Sequence, residues 1–284
     1  MIYRIKKIFK KIVPYKFILL THKARSVFAV LLNGYPSRKL TIIGIAGTKG
    51  KTTTTNMIAK ILEAGGYKVA MLSTANFQIG GKKWLNDVKL TTPSPFYLQK
   101  FLRKAVKEKC DYALVEVSSH GLVQHRHWGI DYKTVVLTNM MSDHLDYHKT
   151  FENYKNSHNA LISNTLENLI VNYDDEDSRS FLDRDGMKKY AFSLKGYARV
   201  KDAILVKAEN ISFGSGSSDF VVTVEGSGKE EIDLPLVGEF NIYNSLAAFC
   251  VGLAEGVSLD KIKEGLESIR NIPGRLEKIE EGQG

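Results

Sequence analysis

The chain has 284 residues, of which 43% are hydrophobic and 25% charged, a globular composition that excludes a wholly disordered protein. Its net charge of +9 comes from the first 39 residues, which hold ten Lys or Arg and no Asp or Glu; the other 245 residues carry 30 basic and 31 acidic groups. A neutral body gives no electrostatic footprint for nucleic acid, so we expect no nucleic-acid partner. The two cysteines, 140 positions apart, form no metal or redox motif, which is typical of a reducing compartment.

Residues 1–38 predict a basic arm made of two helices. Apolar residues recur at helical spacing among the first lysines, at Ile2, Ile5, Phe9 and Ile12. A second periodic set follows Pro14, at Phe17, Leu20, Ala24, Val27, Phe28 and Leu31. Asn33-Gly34, with Pro36 just beyond, is a strong signal for the end of the second helix.

Two interpretations of this arm remain open. In the first, residues 1–39 make peripheral contact with an anionic membrane surface or with a partner. In the second, both helices pack on the body and their lysines face solvent. Neither apolar run approaches the ~18 residues of a membrane span, and charged residues interrupt them without a cleavage site. We therefore expect a cytoplasmic protein, membrane-associated under the first interpretation.

The body alternates predicted strands and helices. The predicted strands are 40–46, 67–73, 112–117, 134–138 and 169–171, and the predicted helices are 51–64, 94–109, 151–162, 241–254 and 259–269. Strands separated by helices in this way indicate a largely parallel sheet. Residues 203–235 differ, because three short apolar runs are broken by Gly and Ser, which predicts a small antiparallel excursion. The fold class is therefore α/β, with a P-loop-type, mostly parallel sheet flanked by helices.

A glycine-rich turn joins the first strand to the first helix of the body. It consists of Gly47, Thr48, Lys49, Gly50, Lys51, Thr52 and Thr53. Such a turn lets backbone N–H groups approach phosphate oxygens at a helix N-terminus, with Lys51 reaching the β/γ-phosphates and Thr52 binding Mg²⁺. The strict pattern G-x-x-x-x-G-K-[ST] is not met, because its first glycine falls on Ile45. The alternative is a strand–helix turn with an incidental lysine.

Three polar strings lie at the predicted carboxyl ends of strands, where open parallel sheets bind ligands. They are TTP at 91–93, EVSSHGLVQHR at 116–126 and TNMMSDHLDYH at 138–148. Together with GTKGKTTT, these strings resemble the ATP-dependent Mur ligase family, and within it the members that add the third residue to a UDP-N-acetylmuramoyl dipeptide of peptidoglycan. The likeness covers about residues 40–284. It implies that ATP phosphorylates a substrate carboxylate and that an amino acid amine then displaces phosphate from the acyl phosphate to form an amide.

The resemblance also implies roles for individual residues. Lys51, Glu116 and His144 are the implied catalytic residues; Thr52 and Glu116 resemble ligands of one Mg²⁺, and His144 resembles a ligand of a second. Asn241 and Arg275 resemble residues that hold adenine and ribose, and Thr91, Thr92, Ser118, Gln124 and Arg126 match positions that contact the UDP-muramoyl peptide. Each has a simpler alternative: a capping carboxylate for Glu116, a structural imidazole for His144, an ordinary turn at 91–93, and the start of a helix for Asn241.

The sequence departs from the family pattern in three places. The family's carbamylated lysine, fourteen residues after His144, is replaced by His158, which cannot form a carbamate; Lys155, one helical turn earlier, is a weak substitute as a ligand of the second cation. The 39 residues before the first strand are too few for the family's uridine-binding domain. The resemblance ends where the family's C-terminal domain would begin. We expect an incomplete chain: an arm at 1–38, a central ATP-binding domain at 39–273 and the start of a linker at 274–284.

Two further functions stay open beside a muramoyl-peptide ligase that uses ATP and Mg²⁺. One is a ligase similar to folylpolyglutamate synthetase, or another amino-acid-adding relative acting on a related carboxylate. The other is an ATP-binding, membrane-associated scaffold whose catalysis has decayed, an interpretation that His158 and the basic arm favour.

Overall fold

The computed structural model describes residues 14–270, together with 272 and 274. Eleven strands in this part of the chain form one sheet, in the order β11-β10-β9-β8-β7-β6-β1-β5-β2-β3-β4. The strands are β1 Thr41–Ala46, β2 Val69–Leu72, β3 Asn76–Ile79, β4 Lys82–Leu85, β5 Tyr112–Glu116, β6 Tyr132–Leu137, β7 Thr165–Asn172, β8 Lys188–Ser193, β9 Ile204–Phe213, β10 Ser218–Val224 and β11 Gly228–Leu234.

The seven strands from β9 to β2 pair in parallel, which confirms the largely parallel sheet that the alternation of strands and helices predicted. The sequence analysis did not predict β8, nor that β9 pairs with it in parallel. The antiparallel excursion near 203–235 is also confirmed, because β10 pairs antiparallel with both β9 and β11. A second antiparallel hairpin, β3–β4, extends the other edge of the sheet. The sequence analysis missed this hairpin, since its strands have only four residues each and one of them begins with two lysines.

Helices cover both faces of the sheet. They are α1 Tyr15–Asn33, α2 Lys51–Ala64, α3 Pro95–Lys107, α4 Ser119–Val123, α5 Leu145–His148, α6 Phe151–Ser157, α7 Asn159–Ser163, α8 Glu176–Arg179, α9 Glu239–Ala254 and α10 Leu259–Glu267. Side chains of β1 alternate between two apolar clusters, with Ile43 and Ile45 facing α2, α9 and α10 and Ile42 facing the layer that contains α3. Burial on both faces is what a central parallel strand requires.

The single helix predicted over residues 151–162 is wrong, because it is divided at His158 into α6 and α7. The Ser157 hydroxyl donates to the Tyr154 carbonyl at 2.6 Å, and Nδ1 of His158 lies 3.0 Å from the same oxygen. The His158 N–H bonds instead to Lys155 O, three residues back. Side chains therefore take the carbonyl that a continuous α-helix would have used.

The second predicted helix of the arm, α1, packs on the body. Ala29 and Val30 are fully buried, and the ring of Phe28 lies edge-on to Phe96 of α3 with centroids 6.1 Å apart. Just after the helix, the Ser37 hydroxyl donates to Gly129 O at 3.0 Å. The first predicted arm helix, at residues 2–12, lies outside the described residues. Within the described residues, every helix is too short or too polar to cross a bilayer.

One buried histidine predicts how stability depends on pH. His127 is 4% exposed, its Nδ1 has no hydrogen-bond partner among the described residues, and burial lowers its pKa to about 4. Because the pKa of His127 is lower in the folded state than in the unfolded state, its contribution to the free energy of unfolding is complete above pH 6.5. That contribution is lost as the pH falls toward 4. We expect His127→Phe to reduce that acid-induced loss by up to about 3 kcal/mol. Urea unfolding of both proteins at pH 7, 5 and 4 measures their free energies of unfolding. An equal loss of this free energy in the two proteins as the pH falls would contradict the prediction.

Candidate nucleotide and cation site

The glycine-rich turn lies between the end of β1 and the start of α2. Gly47 and Gly50 have φ values of 124° and 83°, a region that favours glycine. A Cβ at Gly47 would lie 2.3 Å from Thr138 Oγ1, and a Cβ at Gly50 would lie 2.2 Å from Asn244 Oδ1. Both positions therefore need glycine for backbone conformation and for space.

The end of β6 holds the turn in place. The Thr138 hydroxyl donates to Lys49 O at 2.6 Å. The side-chain amide of Asn139 brackets Lys49, accepting from its N–H at 2.9 Å and donating to its carbonyl at 3.0 Å. Thr48 N–H donates to Asn139 O at 3.0 Å. The sequence analysis included residues 138 and 139 in a polar string but did not name them as site residues.

Lys51 is held inside the turn. Its Nζ donates to Gly47 O at 2.7 Å and to Thr48 O at 2.9 Å. The ammonium group therefore lies against the turn that leads into α2, and the N-terminus of this helix adds positive potential there. This arrangement concentrates positive charge in one turn of a body that is neutral overall.

Glu116, the last residue of β5, is fully buried beside this turn. Its Oε2 accepts from Thr74 at 2.7 Å and from Thr52 at 3.3 Å, whereas its Oε1 has no hydrogen-bond partner among the described residues. Burial raises the pKa of the carboxyl above its ordinary value of 4.5, opposed by the bond from Thr74 and the charge of Lys51. A buried carboxylate oxygen without a partner, next to a threonine hydroxyl, fits a hard oxygen-seeking cation such as Mg²⁺. The sequence analysis did not identify Thr74.

The five predicted substrate-binding residues lie together next to Glu116. The Thr92 hydroxyl donates to the backbone carbonyl of Glu116 at 3.1 Å and accepts from Ser118 N–H at 2.9 Å. The Arg126 guanidinium donates to Thr92 O at 2.5 Å and to Gln124 Oε1 at 2.7 Å. We name these five residues, Thr91, Thr92, Ser118, Gln124 and Arg126, the acceptor cluster. The hydroxyls of Thr91 and Thr74 are 3.0 Å apart, so the acceptor cluster lies beside the candidate cation site.

His144 and His158 differ sharply in environment. The side chain of His144 is 47% exposed and its ring stacks edge-on to His120 at 4.7 Å, whereas His158 is 1% exposed. Burial lowers the pKa of His158 to about 4. Among the described residues no group of three His, Cys, Asp or Glu side chains could hold a metal ion, and imidazoles are poor Mg²⁺ ligands. Both predicted cation sites, one at Thr52 and Glu116 and the other at His144 and His158, therefore stay predictions, and the unpartnered oxygen of Glu116 favours the first.

The resemblance implies a carbamylated lysine at the position of His158. Lys155 does not take its place in this geometry, because Nζ of Lys155 is paired with Asp177 Oδ1 at 2.9 Å. We expect His158→Lys to raise Mg²⁺-dependent phosphate release in bicarbonate buffer by at least about tenfold, or about 1.4 kcal/mol of transition-state stabilisation. Burial and the nearby charge of Lys51 disfavour an ammonium group there, which keeps the new amine neutral and able to react with CO₂. His158→Gln is the control, and a gain that does not depend on bicarbonate would contradict the prediction.

A cavity of about 640 Å³ opens in front of the glycine-rich turn. Its walls include Thr48, Lys49, Gly50, Lys51, Thr52, Thr53, Thr74, Asn139, Asn172, Leu236, Phe240, Asn241, Tyr243, Asn244 and Ile272. The cavity is polar and cationic at the turn and apolar where Leu236, Phe240 and Ile272 meet, a combination suited to a nucleotide. Asn241 lies in its wall, with Nδ2 donating to Val237 O at 2.9 Å. Arg275, predicted beside it, lies outside the described residues.

Comparison with known proteins gives a family match. Residues 45–252 match the Mur ligase middle domain. A UDP-N-acetylmuramoyl-L-alanyl-D-glutamate–2,6-diaminopimelate ligase of Clostridium botulinum is 41% identical over 259 residues, which is 91% of this chain and 52% of that protein. A UDP-N-acetylmuramyl-tripeptide synthetase of Roseiflexus sp. is 34% identical over 274 residues, covering 92% and 53%. This chain thus spans about half the length of the curated relatives it matches.

Solved structures share the fold. A structure of a UDP-N-acetylmuramoyl-L-alanyl-D-glutamate–2,6-diaminopimelate ligase aligns with a TM-score of 0.72 at 26% identity, over 83% of this chain and 47% of that one. An FPGS–AMPPCP complex aligns with a TM-score of 0.73 at 17% identity, over 94% and 74%. At 17% identity the second likeness shows the fold alone.

Proposed function

Because this chain belongs to the Mur ligase family, we propose that it is the ATP-binding part of an ADP-forming amide ligase of peptidoglycan precursor synthesis. The proposed acceptor is a UDP-N-acetylmuramoyl dipeptide, to which an amino acid is added through an acyl phosphate. One observation carries the proposal. The turn at 47–53 faces the cavity, and the buried carboxylate of Glu116, with one unpartnered oxygen, lies 3.3 Å from the Thr52 hydroxyl.

In the proposed reaction the terminal phosphoryl group of ATP passes to an acceptor carboxylate, and the amine then displaces phosphate as the amide forms. Phosphoryl transfer needs positioning and charge neutralisation more than covalent help from the protein. Lys51 and the amides that begin α2 supply positive potential at the phosphate end of the cavity. Thr52 and Glu116 would hold Mg²⁺, which when bound neutralises phosphate charge.

The acceptor cluster supplies the second half of the proposed site. Thr91, Thr92, Ser118, Gln124 and Arg126 lie at the end of β5 and in the segments beside it, so a carboxylate held there would be close to the phosphate end of the cavity. Arg126 can fork a carboxylate, with Gln124 fixing the plane of the guanidinium. We also propose the division into an arm at 1–38, a central domain at 39–273 and the start of a linker at 274–284.

A second candidate is an ATP-binding scaffold without ligase activity. The observation that favours it is His158, a buried imidazole at the position where the sequence resemblance implies a carbamylated lysine. A ligase similar to folylpolyglutamate synthetase keeps the ATP site and changes only the acceptor. For all three functions we propose a cytoplasmic location with peripheral membrane contact through residues 1–39, and the basic arm that would make this contact also favours the scaffold.

Thermal unfolding with added ligands separates these functions. Mg-AMPPCP, a non-hydrolysable ATP analogue, should stabilise the chain by about 2.7 kcal/mol at a hundred times its dissociation constant. UDP-N-acetylmuramoyl dipeptide should add to that stabilisation if the chain is a muramoyl-peptide ligase. Stabilisation by the nucleotide alone would favour the other ligase or the scaffold. No response to the nucleotide would overturn the ATP site and with it all three functions.

A further inference from the structure

The outer face of α1 carries an unusual set of exposed apolar side chains. Within the described residues, five of the large hydrophobic side chains that are strongly exposed belong to this one helix. They are Phe17 at 60%, Leu20 at 61%, Phe28 at 55%, Leu31 at 57% and Leu32 at 55%. With Ala24, which is also exposed, we name them the outer stripe.

The outer stripe is distinct from the face that packs on the body. At 100° per residue, its six residues fall within an arc of about 120°. Ser26, Ala29 and Val30, which are fully buried, lie on the opposite side of the helix. The body therefore accounts for one apolar face of α1. The outer stripe stays largely exposed, although the ring of Phe28 also lies edge-on to Phe96 of α3.

The charges that flank the outer stripe favour one kind of surface. Lys23 and Arg25, both exposed, project on either side of the outer stripe, and residues 1–39 contain no Asp or Glu. A cationic border around an apolar stripe is complementary to an anionic lipid surface, in which lysine and arginine reach the headgroup phosphates. A second copy of the chain fits less well, because pairing two outer stripes would bring two cationic borders together.

We propose that the outer stripe is the surface by which this chain binds anionic membranes. α1 has 19 residues and is about 28 Å long, so it would lie in the plane of the interface, with Phe17, Leu20 and Leu31 entering the acyl boundary. The proposal gives a defined surface and lipid chemistry to the membrane contact proposed above. It rests on that contact alone and is independent of ATP binding and ligation.

Co-sedimentation of the full chain with vesicles tests the proposal. We expect binding to phosphatidylcholine vesicles that contain phosphatidylglycerol, weaker binding to phosphatidylcholine alone, and loss of binding as salt is raised. The variant Phe17→Ser/Leu20→Ser/Leu31→Ser should bind at least about tenfold more weakly, since three large apolar side chains no longer enter the interface. The matched control is Leu166→Ser/Phe213→Ser, which removes side chains 60% and 54% exposed elsewhere and should bind as the unchanged chain does.

Three results would overturn the proposal. Undiminished vesicle binding by the triple variant would assign binding to another segment. Equal binding to both kinds of vesicle would remove the role of the cationic border. A lipid-free dimer that the triple variant converts to monomer would assign the outer stripe to a second copy. As a check that the triple variant is folded, its stabilisation by Mg-AMPPCP should equal that of the unchanged chain. If the triple variant does not fold, Phe17→Ser alone is expected to weaken vesicle binding about threefold. Undiminished vesicle binding by Phe17→Ser would then overturn the proposal.

Discussion

Glu116→Gln is expected to remove most Mg²⁺-dependent nucleotide binding while making the nucleotide-free protein more stable at neutral pH. The carboxylate is fully buried and one of its oxygens has no partner among the described residues, so its ionised form is costly without a cation. Glutamine keeps the shape and removes the charge. Without this cation ligand, we expect the affinity for Mg-AMPPCP to fall about a hundredfold, equivalent to about 2.7 kcal/mol.

The pH dependence gives the same prediction a second measurement. Burial raises the folded pKa of Glu116 above 4.5, so its contribution to stability is complete below that pH and is lost as the pH rises through the folded pKa. The free energy of unfolding of the nucleotide-free Glu116→Gln variant, measured with urea, should not show this loss as the pH rises.

The control for Glu116→Gln is Glu255→Gln, because the Glu255 carboxylate is also buried but has Lys133, Thr134 and Tyr112 as partners. We expect that change to destabilise the protein by about 1–3 kcal/mol without affecting nucleotide affinity. Equal Mg-AMPPCP affinities of the unchanged chain and Glu116→Gln would contradict the cation assignment.

Gly50→Ala is expected to abolish nucleotide binding, whereas Gly66→Ala is expected to preserve it. Both glycines have positive φ, 83° and 87°, so alanine costs each about 1 kcal/mol in backbone conformation. At Gly66 a new Cβ meets nothing within 4 Å, but at Gly50 it would lie 2.2 Å from Asn244 Oδ1. That oxygen accepts from Thr54 at 3.3 Å, so the clash reaches both α2 and the cavity wall.

Isothermal titration with Mg-AMPPCP measures this difference, and we expect at least about a hundredfold loss for Gly50→Ala, or about 2.7 kcal/mol. Gly66→Ala isolates the conformational cost, since its effect should appear in thermal stability alone. If both variants bound the nucleotide equally, the close approach of α9 to the turn would have no bearing on the site.

Local signals in the sequence predicted most of the fold. Helix α2 spans the predicted residues 51–64, because a glycine-rich turn precedes it and two glycines follow it. The end of α1 at Asn33 was predicted from Gly34, which adopts the left-handed conformation. The division at His158 was not predictable from helical spacing, because it depends on how Ser157 and His158 compete for one carbonyl oxygen.

The periodicity of α1 predicted a helix but not which face would be buried. Phe17, Leu20 and Leu31 have the spacing of a packed face, yet the body takes up the opposite side through smaller residues such as Ala29 and Val30. Spacing identifies an apolar face, whereas the surface it meets depends on the rest of the fold.

The candidate site was predicted only where its residues form strings. The turn at 47–53 and the residues around 116–126 were found because they are consecutive. Thr74, Asn139 and Asn244 were missed, because each acts across a long chain separation; Asn244 contacts Thr54, 190 residues away, and Asn139 contacts Lys49, 90 residues away. The parallel sheet brings Thr74 and Asn139 to one edge, and the packing of α9 against α2 brings Asn244 there.

Glu116 connects the two halves of the site, because its side chain contacts one half and its backbone carbonyl contacts the other. Its carboxylate accepts from Thr52 and Thr74, while its backbone carbonyl accepts from Thr92 in the acceptor cluster. A cation that repositions this residue therefore changes the environment of the acceptor. For the proposed Mg²⁺ and acceptor, thermodynamic reciprocity then requires the acceptor to alter cation affinity by the same factor, which would couple the two ligands through the end of β5.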